Sequence, residues 1–185
     1  MVLLGLSTSC RKDAIGEDSV TSKENLNTDS THANSFVTSP GNYLAVSGLL
    51  QIKVNGLTYT FDAGRDSIAF INVSTEGNKK YYGITAVNKE HTMSFGISAS
   101  GSASFNINTA VAGSQLLLSP DENKKEQEYS LSKFSGQKDF GNINITQYIQ
   151  GKELAKGTFY TFLALDDKPN TLFYKVEGSF DLQMK

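Results

Sequence analysis

Gly157-Thr158-Phe159-Tyr160-Thr161-Phe162-Leu163-Ala164-Leu165, then Asp166-Asp167-Lys168-Pro169-Asn170, then Leu172-Phe173-Tyr174-Lys175-Val176-Glu177-Gly178-Ser179-Phe180-Asp181-Leu182 is the stretch that decides the fold class. On its second arm Leu172, Tyr174, Val176, Phe180 and Leu182 share one parity. Phe173, Lys175, Glu177, Ser179 and Asp181 share the other. A period of two with one apolar parity is the signature of a half-buried strand. The Asp/Pro/Asn loop between the arms carries turn residues. The stretch therefore predicts a closing antiparallel hairpin.

Working outward, the same pattern recurs towards the N-terminus. Ile52-Lys53-Val54, Asn55-Gly56 and Leu57-Thr58-Tyr59-Thr60-Phe61 form a second hairpin signature, because Asn-Gly suits the positive φ values of a type I′ turn. Its expected core set is Ile52, Val54, Leu57, Tyr59 and Phe61. Ser67 to Ser74 is apolar on both parities, as in a well-covered strand. Lys80 to Asn88 follows a turn at Glu76-Gly77-Asn78. Thr92 to Ala99 sets Met93, Phe95, Ile97 and Ala99 against Ser94, Gly96 and Ser98. Gly101-Ser102 turns the chain into a strand over Ala103 to Asn108 with Phe105 and Ile107 inward. Gly113-Ser114 reads as a further turn before a short strand, Gln115 to Ser119. Tyr129 to Phe134 resumes a strand after the charged loop Asp121 to Glu128. Asn142 to Ile149 sets Ile143 and Ile145 against Asn144 and Thr146. No segment keeps a helical period over three turns. The expectation is an all-β domain over residues 41–185: an antiparallel β-sandwich of roughly nine or ten strands, with a β-barrel as the alternative that periodicity leaves open.

The C-terminal third resembles a group of small lipoproteins of Bacteroidetes-type bacteria, which share a domain without an assigned activity. The shared pattern is "G-x-I-x-I-T-x-Y", then "G-T-F-x-F-x-A", then a closing "G-x-F". It is carried here by Gly141-Asn142-Ile143-Asn144-Ile145-Thr146-Gln147-Tyr148, by Gly157-Thr158-Phe159-Tyr160-Thr161-Phe162-Leu163-Ala164, and by Gly178-Ser179-Phe180. Val54-Asn55-Gly56-Leu57-Thr58-Tyr59 resembles the group's opening motif. The motif residues read as turn glycines and core aromatics. The resemblance implies a location and an architecture, not a chemistry.

The start of the chain fits that location. Val2-Leu3-Leu4-Gly5-Leu6-Ser7-Thr8-Ser9-Cys10 is a shortened apolar run, then small residues, then the chain's one cysteine. It resembles the tail of a bacterial lipoprotein signal, whose lipobox ends in a small residue followed by cysteine. Ser7 stands where that pattern usually has leucine, and no basic residue precedes the apolar run. Residues 1–10 are therefore read as the remnant of such a signal, with Cys10 as the lipidation site. Each buried methylene contributes about 0.8 kcal/mol, so two or three acyl chains on one residue anchor a protein durably. Residues 11–40 lack any hydrophobic period and are rich in Ser, Thr and Asn. That composition predicts a disordered linker, with a reach of about 30 Å.

Composition narrows the partners. The 185 residues carry 17 Lys+Arg, 19 Asp+Glu and 2 His, for a net charge of −2. Residues 11–40 hold that −2 alone, so residues 41–185 are balanced. A balanced domain without a basic cluster argues against nucleic acid as a partner. No cofactor motif occurs, and His91 is the only histidine beyond the linker, too few for a histidine-based metal site. No Gly-x-Ser-x-Gly elbow occurs either. Acidic pairs at Asp121-Glu122, Glu126/Glu128 and Asp166-Asp167 fall in expected loops; with His91 they support the alternative reading, an envelope hydrolase acting on a polymer. Four aromatics are candidates to face a ligand. Tyr81 and Tyr82 set one ring on each face of their strand, and Tyr148 and Phe173 fall on the outer parity of theirs. The favoured reading is a non-catalytic binding or accessory module of the cell envelope. It would be outer-membrane-anchored through lipid on Cys10, periplasmic or surface-exposed, with a glycan or an envelope protein as partner.

Overall fold

The computed structural model describes residues 41–75, 77, 79–119, 127–131, 139–149, 154–165 and 171–185. Cys10, the linker, Asp121, Glu122, Glu126, Asp166 and Asp167 lie outside them. The described residues form ten strands and no α-helix: β1 (Asn42–Val54), β2 (Leu57–Asp62), β3 (Ser67–Ser74), β4 (Lys80–Val87), β5 (Met93–Ser100), β6 (Ile107–Leu118), β7 (Gln127–Ser130), β8 (Gly141–Ile149), β9 (Leu154–Ala164) and β10 (Phe173–Met184). The all-β antiparallel expectation and its strand number stand.

The ten strands make one sheet. Eight of them pair in a continuous antiparallel circuit, β10–β1–β3–β4–β5–β6–β8–β9 and back to β10. β2 lies beside the second half of β1, and β7 beside the end of β6. The circuit encloses one apolar core. Phe70 of β3 meets Tyr148 of β8 at 5.5 Å and Phe180 of β10 at 6.5 Å, and Phe95 of β5 stacks on Phe159 of β9 at 5.3 Å. Around them Leu50, Ile52, Ile84, Leu116, Ile143, Ile145 and Leu163 are fully buried. Alternation along each strand delivers these side chains to one face, and the ring of strands makes that face the interior.

The Asn55-Gly56 hairpin is as expected, with φ of 51° and 79° at its two turn residues. Leu57 shares the inward parity of Tyr59 and Phe61, but it is the first residue of its strand, directly after the turn, and is 60% exposed. Leu172 likewise shares the inward parity of Tyr174, but it precedes β10 and is 75% exposed, and Gln127 and Glu128, expected in the charged loop, open β7. Other expectations fail as well. Phe105 and Asn106 form a turn instead of strand; Asn106 takes φ 54°, a conformation asparagine tolerates well, and Phe105 is left 69% exposed. Gly113-Ser114 is not a turn. It lies within the continuous β6, beside a bulge where the partners of Ser98 and Ala99 skip from Gly113 to Val111. Glycine inside a strand often marks a bulge or a close approach.

The motif glycines Gly157 and Gly178 are likewise not turn residues. Gly157 lies opposite Phe180, and Gly178 lies opposite Phe159. The two Gly-x-Phe triplets therefore pair reciprocally across β9 and β10, each phenylalanine ring covering the other triplet's glycine.

Candidate functional site

The outward parity of the sheet between β2 and β6 carries two polar rows. One row runs Thr60–Gln51–Ser179–Thr158–Asn144–Asn108, each residue the cross-strand partner of the next. The adjacent row runs Thr58–Lys53–Glu177–Tyr160–Asn142. Register alone builds this surface. The core residues of each strand occupy one parity, and the hydroxyls and amides of the other parity line up because no register shift falls within the segments that carry the rows. All of these residues but Thr60 line a groove of about 700 Å³ on the protein surface.

Tyr160 lines the groove and is held at its hydroxyl by two hydrogen bonds. Its hydroxyl donates to Asp139 Oδ2 at 2.9 Å and accepts from Asn142 Nδ2 at 3.0 Å. Asp139 is itself oriented by the Gly141 N–H at 2.8 Å, and Thr161 Oγ1 ties the same turn through the Phe140 carbonyl at 3.0 Å. The ring packs edge-on against Phe162 at 6.0 Å, and Lys175 Nζ stands 5.7 Å from its centroid. Lys175 also pairs with Glu177 at 2.8 Å. The hydrogen bond and charge of Glu177 raise the Lys175 pKa, and those of Lys175 lower that of Glu177. Both groups are exposed, so the pair adds little stability. The groove thus offers a fixed aromatic face, a cation–carboxylate pair and a field of neutral donors and acceptors.

The four candidate aromatics are not brought together. Tyr82 has no exposed surface; burial raises its hydroxyl pKa, and the group lies near Thr109 without a well-formed hydrogen bond. Tyr148 is displaced from its expected outer parity by a bulge at Thr146, where the partners of Ile145 and Gln147 are the consecutive residues Gly157 and Lys156. The extra residue turns Tyr148 towards Phe70, and its hydroxyl accepts from Asn72 Nδ2 at 3.0 Å. Burial raises its pKa as well, against the lowering effect of that hydrogen bond. Tyr81 and Phe173 are half-buried on outer parity, at β4 and at the start of β10, away from the groove. His91 is an exposed turn residue with φ 57°. Glu128 is exposed on β7 and accepts from Gln115. No group of three His, Cys, Asp or Glu side chains converges among the described residues.

Tyr160 was legible as an outward residue of the closing hairpin. What identifies it is the register that sets it opposite Glu177 and Asn142, and a single strand's pattern does not contain that. Compared with family models, curated proteins and solved structures, the chain matches none.

Proposed function

We propose that this chain is a lipid-anchored binding module of the cell envelope, and that the groove around Tyr160 takes a neutral polyhydroxylated ligand, a glycan strand. The observation that carries the reading is the Tyr160 ring pinned within two rows of hydroxyl and amide side chains. A sugar presents hydroxyls that both donate and accept, and an apolar ring face suited to stacking on an aromatic. Thr, Ser, Asn and Gln side chains answer the first need, and Tyr160 answers the second. Immobilising the ring by hydrogen bonds at its tip means that less entropy is lost on binding. Among the described residues Glu177 is the one carboxylate in the groove lining, and it is paired with Lys175, which favours retention of the ligand over its cleavage. The envelope address rests on the lipobox-like residues ending in Cys10 and on the lipoprotein-like closing motifs.

Binding to an array of neutral oligosaccharides tests the ligand. Tyr160→Ala should weaken the best-bound member about tenfold, the equivalent of about 1.4 kcal/mol, with the fold unchanged by circular dichroism. Absence of binding by the native protein, or equal binding by the variant, overturns the glycan reading. The anchor is tested separately. Cys10→Ala should move the protein from the membrane to the soluble fraction of expressing cells, and a variant that stays with the membrane overturns lipidation at Cys10.

A further inference from the structure

The second strand has an edge that nothing described covers. In a two-residue hairpin the residues flanking the turn, here Val54 and Leu57, exchange both backbone hydrogen bonds. Alternation then directs the N–H and C=O of Tyr59 and Phe61 to β1, and those of Thr58, Thr60 and Asp62 away from it. Asp62 shows this phase directly. Its N–H donates to Asp66 Oδ2 at 2.8 Å, and its carbonyl accepts from the Arg65 and Asp66 N–H groups at 2.9 and 2.6 Å. Asp62 is thus satisfied by its own turn. Thr58 and Thr60 are exposed, and β1 is the only strand that pairs with β2 among the described residues.

Native edges are normally blunted by lysine, proline or a bulge. β2 has none of these: its sequence is Leu-Thr-Tyr-Thr-Phe-Asp, and its six pairs with β1 run without a register shift. It is also symmetric in chemistry about Tyr59, with Thr58 and Thr60 on either side and then Leu57 and Phe61. We infer that β2 is a homodimerisation edge, pairing antiparallel with β2 of a second copy about a two-fold axis through Tyr59. That axis sets Thr58 opposite Thr60 of the partner subunit, and Thr60 opposite the partner's Thr58. Both are positions that exchange N–H···O=C bonds in both directions. A two-fold interface requires one patch to complement itself, and cross-strand Thr–Thr pairs are favourable. Residues 41–185 carry no net charge, so no long-range repulsion opposes the approach of two copies. The contact is one strand wide, and an interface of that size is weak and transient in solution. Two copies held on one membrane would meet at higher effective concentration. The inference does not rest on what the groove binds, although Thr58 and Thr60 begin the groove's two rows.

Sedimentation equilibrium of the full chain tests the inference, in a Cys10→Ser background that excludes a disulfide link. From the micromolar to the millimolar range, the mean mass should rise from 20.1 kDa towards twice that value. Over the same range the Thr58 and Thr60 amides should exchange more slowly with solvent, while the amides bonded to β1 stay unchanged. Thr60→Pro removes a donor that β1 does not use, and Thr58→Lys/Thr60→Lys sets charge on the edge with no proline strain. Either variant should remain monomeric at all concentrations. A native chain that stays monomeric overturns the inference. So does a dimer that persists in both variants, or one that forms without protecting the Thr58 and Thr60 amides.

Discussion

Gly178→Ala should destabilise the domain by about 3 kcal/mol or more, at the upper end of what overpacking a core costs. The denaturant midpoint would fall at an unchanged m-value, the mark of altered stability with unaltered unfolding surface. A Cβ on Gly178 would lie 2.5 Å from Phe159 Cζ and 2.9 Å from Cε1, and it would overlap the backbone carbonyl oxygen of Gln51. Gly157 is the mirror case: its added carbon would stand 2.7 Å from Phe180 Cζ and overlap the Asn144 carbonyl. A flexible side-chain end could swing aside. A buried phenylalanine packed on Phe95 and a carbonyl in the middle of a ladder cannot. Adding Phe159→Leu to Gly178→Ala should restore part of the loss by relieving the ring, and leave the part due to Gln51. A Gly178→Ala protein within about 0.5 kcal/mol of native, the usual range for an inconsequential surface change, would show that the reciprocal Gly/Phe pairing does not hold the hairpin.

Asp66→Ala should cost about 2–4 kcal/mol, because it leaves two backbone N–H groups without their acceptor. The Asp66 side chain has no exposed surface. Its Oδ2 accepts from the Asp62 N–H at 2.8 Å, and its Oδ1 from the Lys89 N–H at 3.0 Å. One carboxylate thereby ties the β2–β3 turn to the β4–β5 turn. Arg65 adds longer bonds of 3.4 and 3.3 Å from an exposed position. Burial pushes the Asp66 pKa up, but the Asp62, Arg65 and Lys89 hydrogen bonds together outweigh it and hold the group below its ordinary value. The sign follows from linkage. The folded state binds the proton less readily than the unfolded chain, so the full contribution is present above about pH 4, the unfolded aspartate value. It is lost as pH falls through the lower native value. Asp66→Asn keeps one acceptor and turns an NH₂ towards the other donor. It should cost nearly as much at neutral pH and flatten the acid limb of the stability profile. An Asp66→Asn protein with native stability at pH 7 and a native acid limb would sink this account.

The two substitutions lie at opposite ends of what could be read in advance. The Gly-x-Phe triplets were visible in the closing hairpin, and Phe159 and Phe180 fell on its inward parity. The pairing of each ring with the other triplet's glycine needed the register of β9 against β10. Asp66 gave no sign in the sequence, because its partners are backbone groups, one of them Lys89 in another turn.

The period of two in the chain by itself determined that this is an all-β antiparallel protein and which parity of most strands is apolar. That follows because alternation is a local property: each strand displays its burial pattern without reference to its neighbours. It also determined the Asn55-Gly56 turn, since positive φ is a property of those two residues. Tertiary structure alone decided the closing of the circuit, the bulge that turned Tyr148 inward, and the alignment of the outer rows into a groove. Those features depend on how strands far apart in sequence are offset against each other. A single inserted residue reverses every parity after it without changing the composition of the strand. The groove around Tyr160 is made of residues that look like ordinary solvent-facing positions in each strand, and it forms only through the registers that bring β1, β8, β9 and β10 side by side.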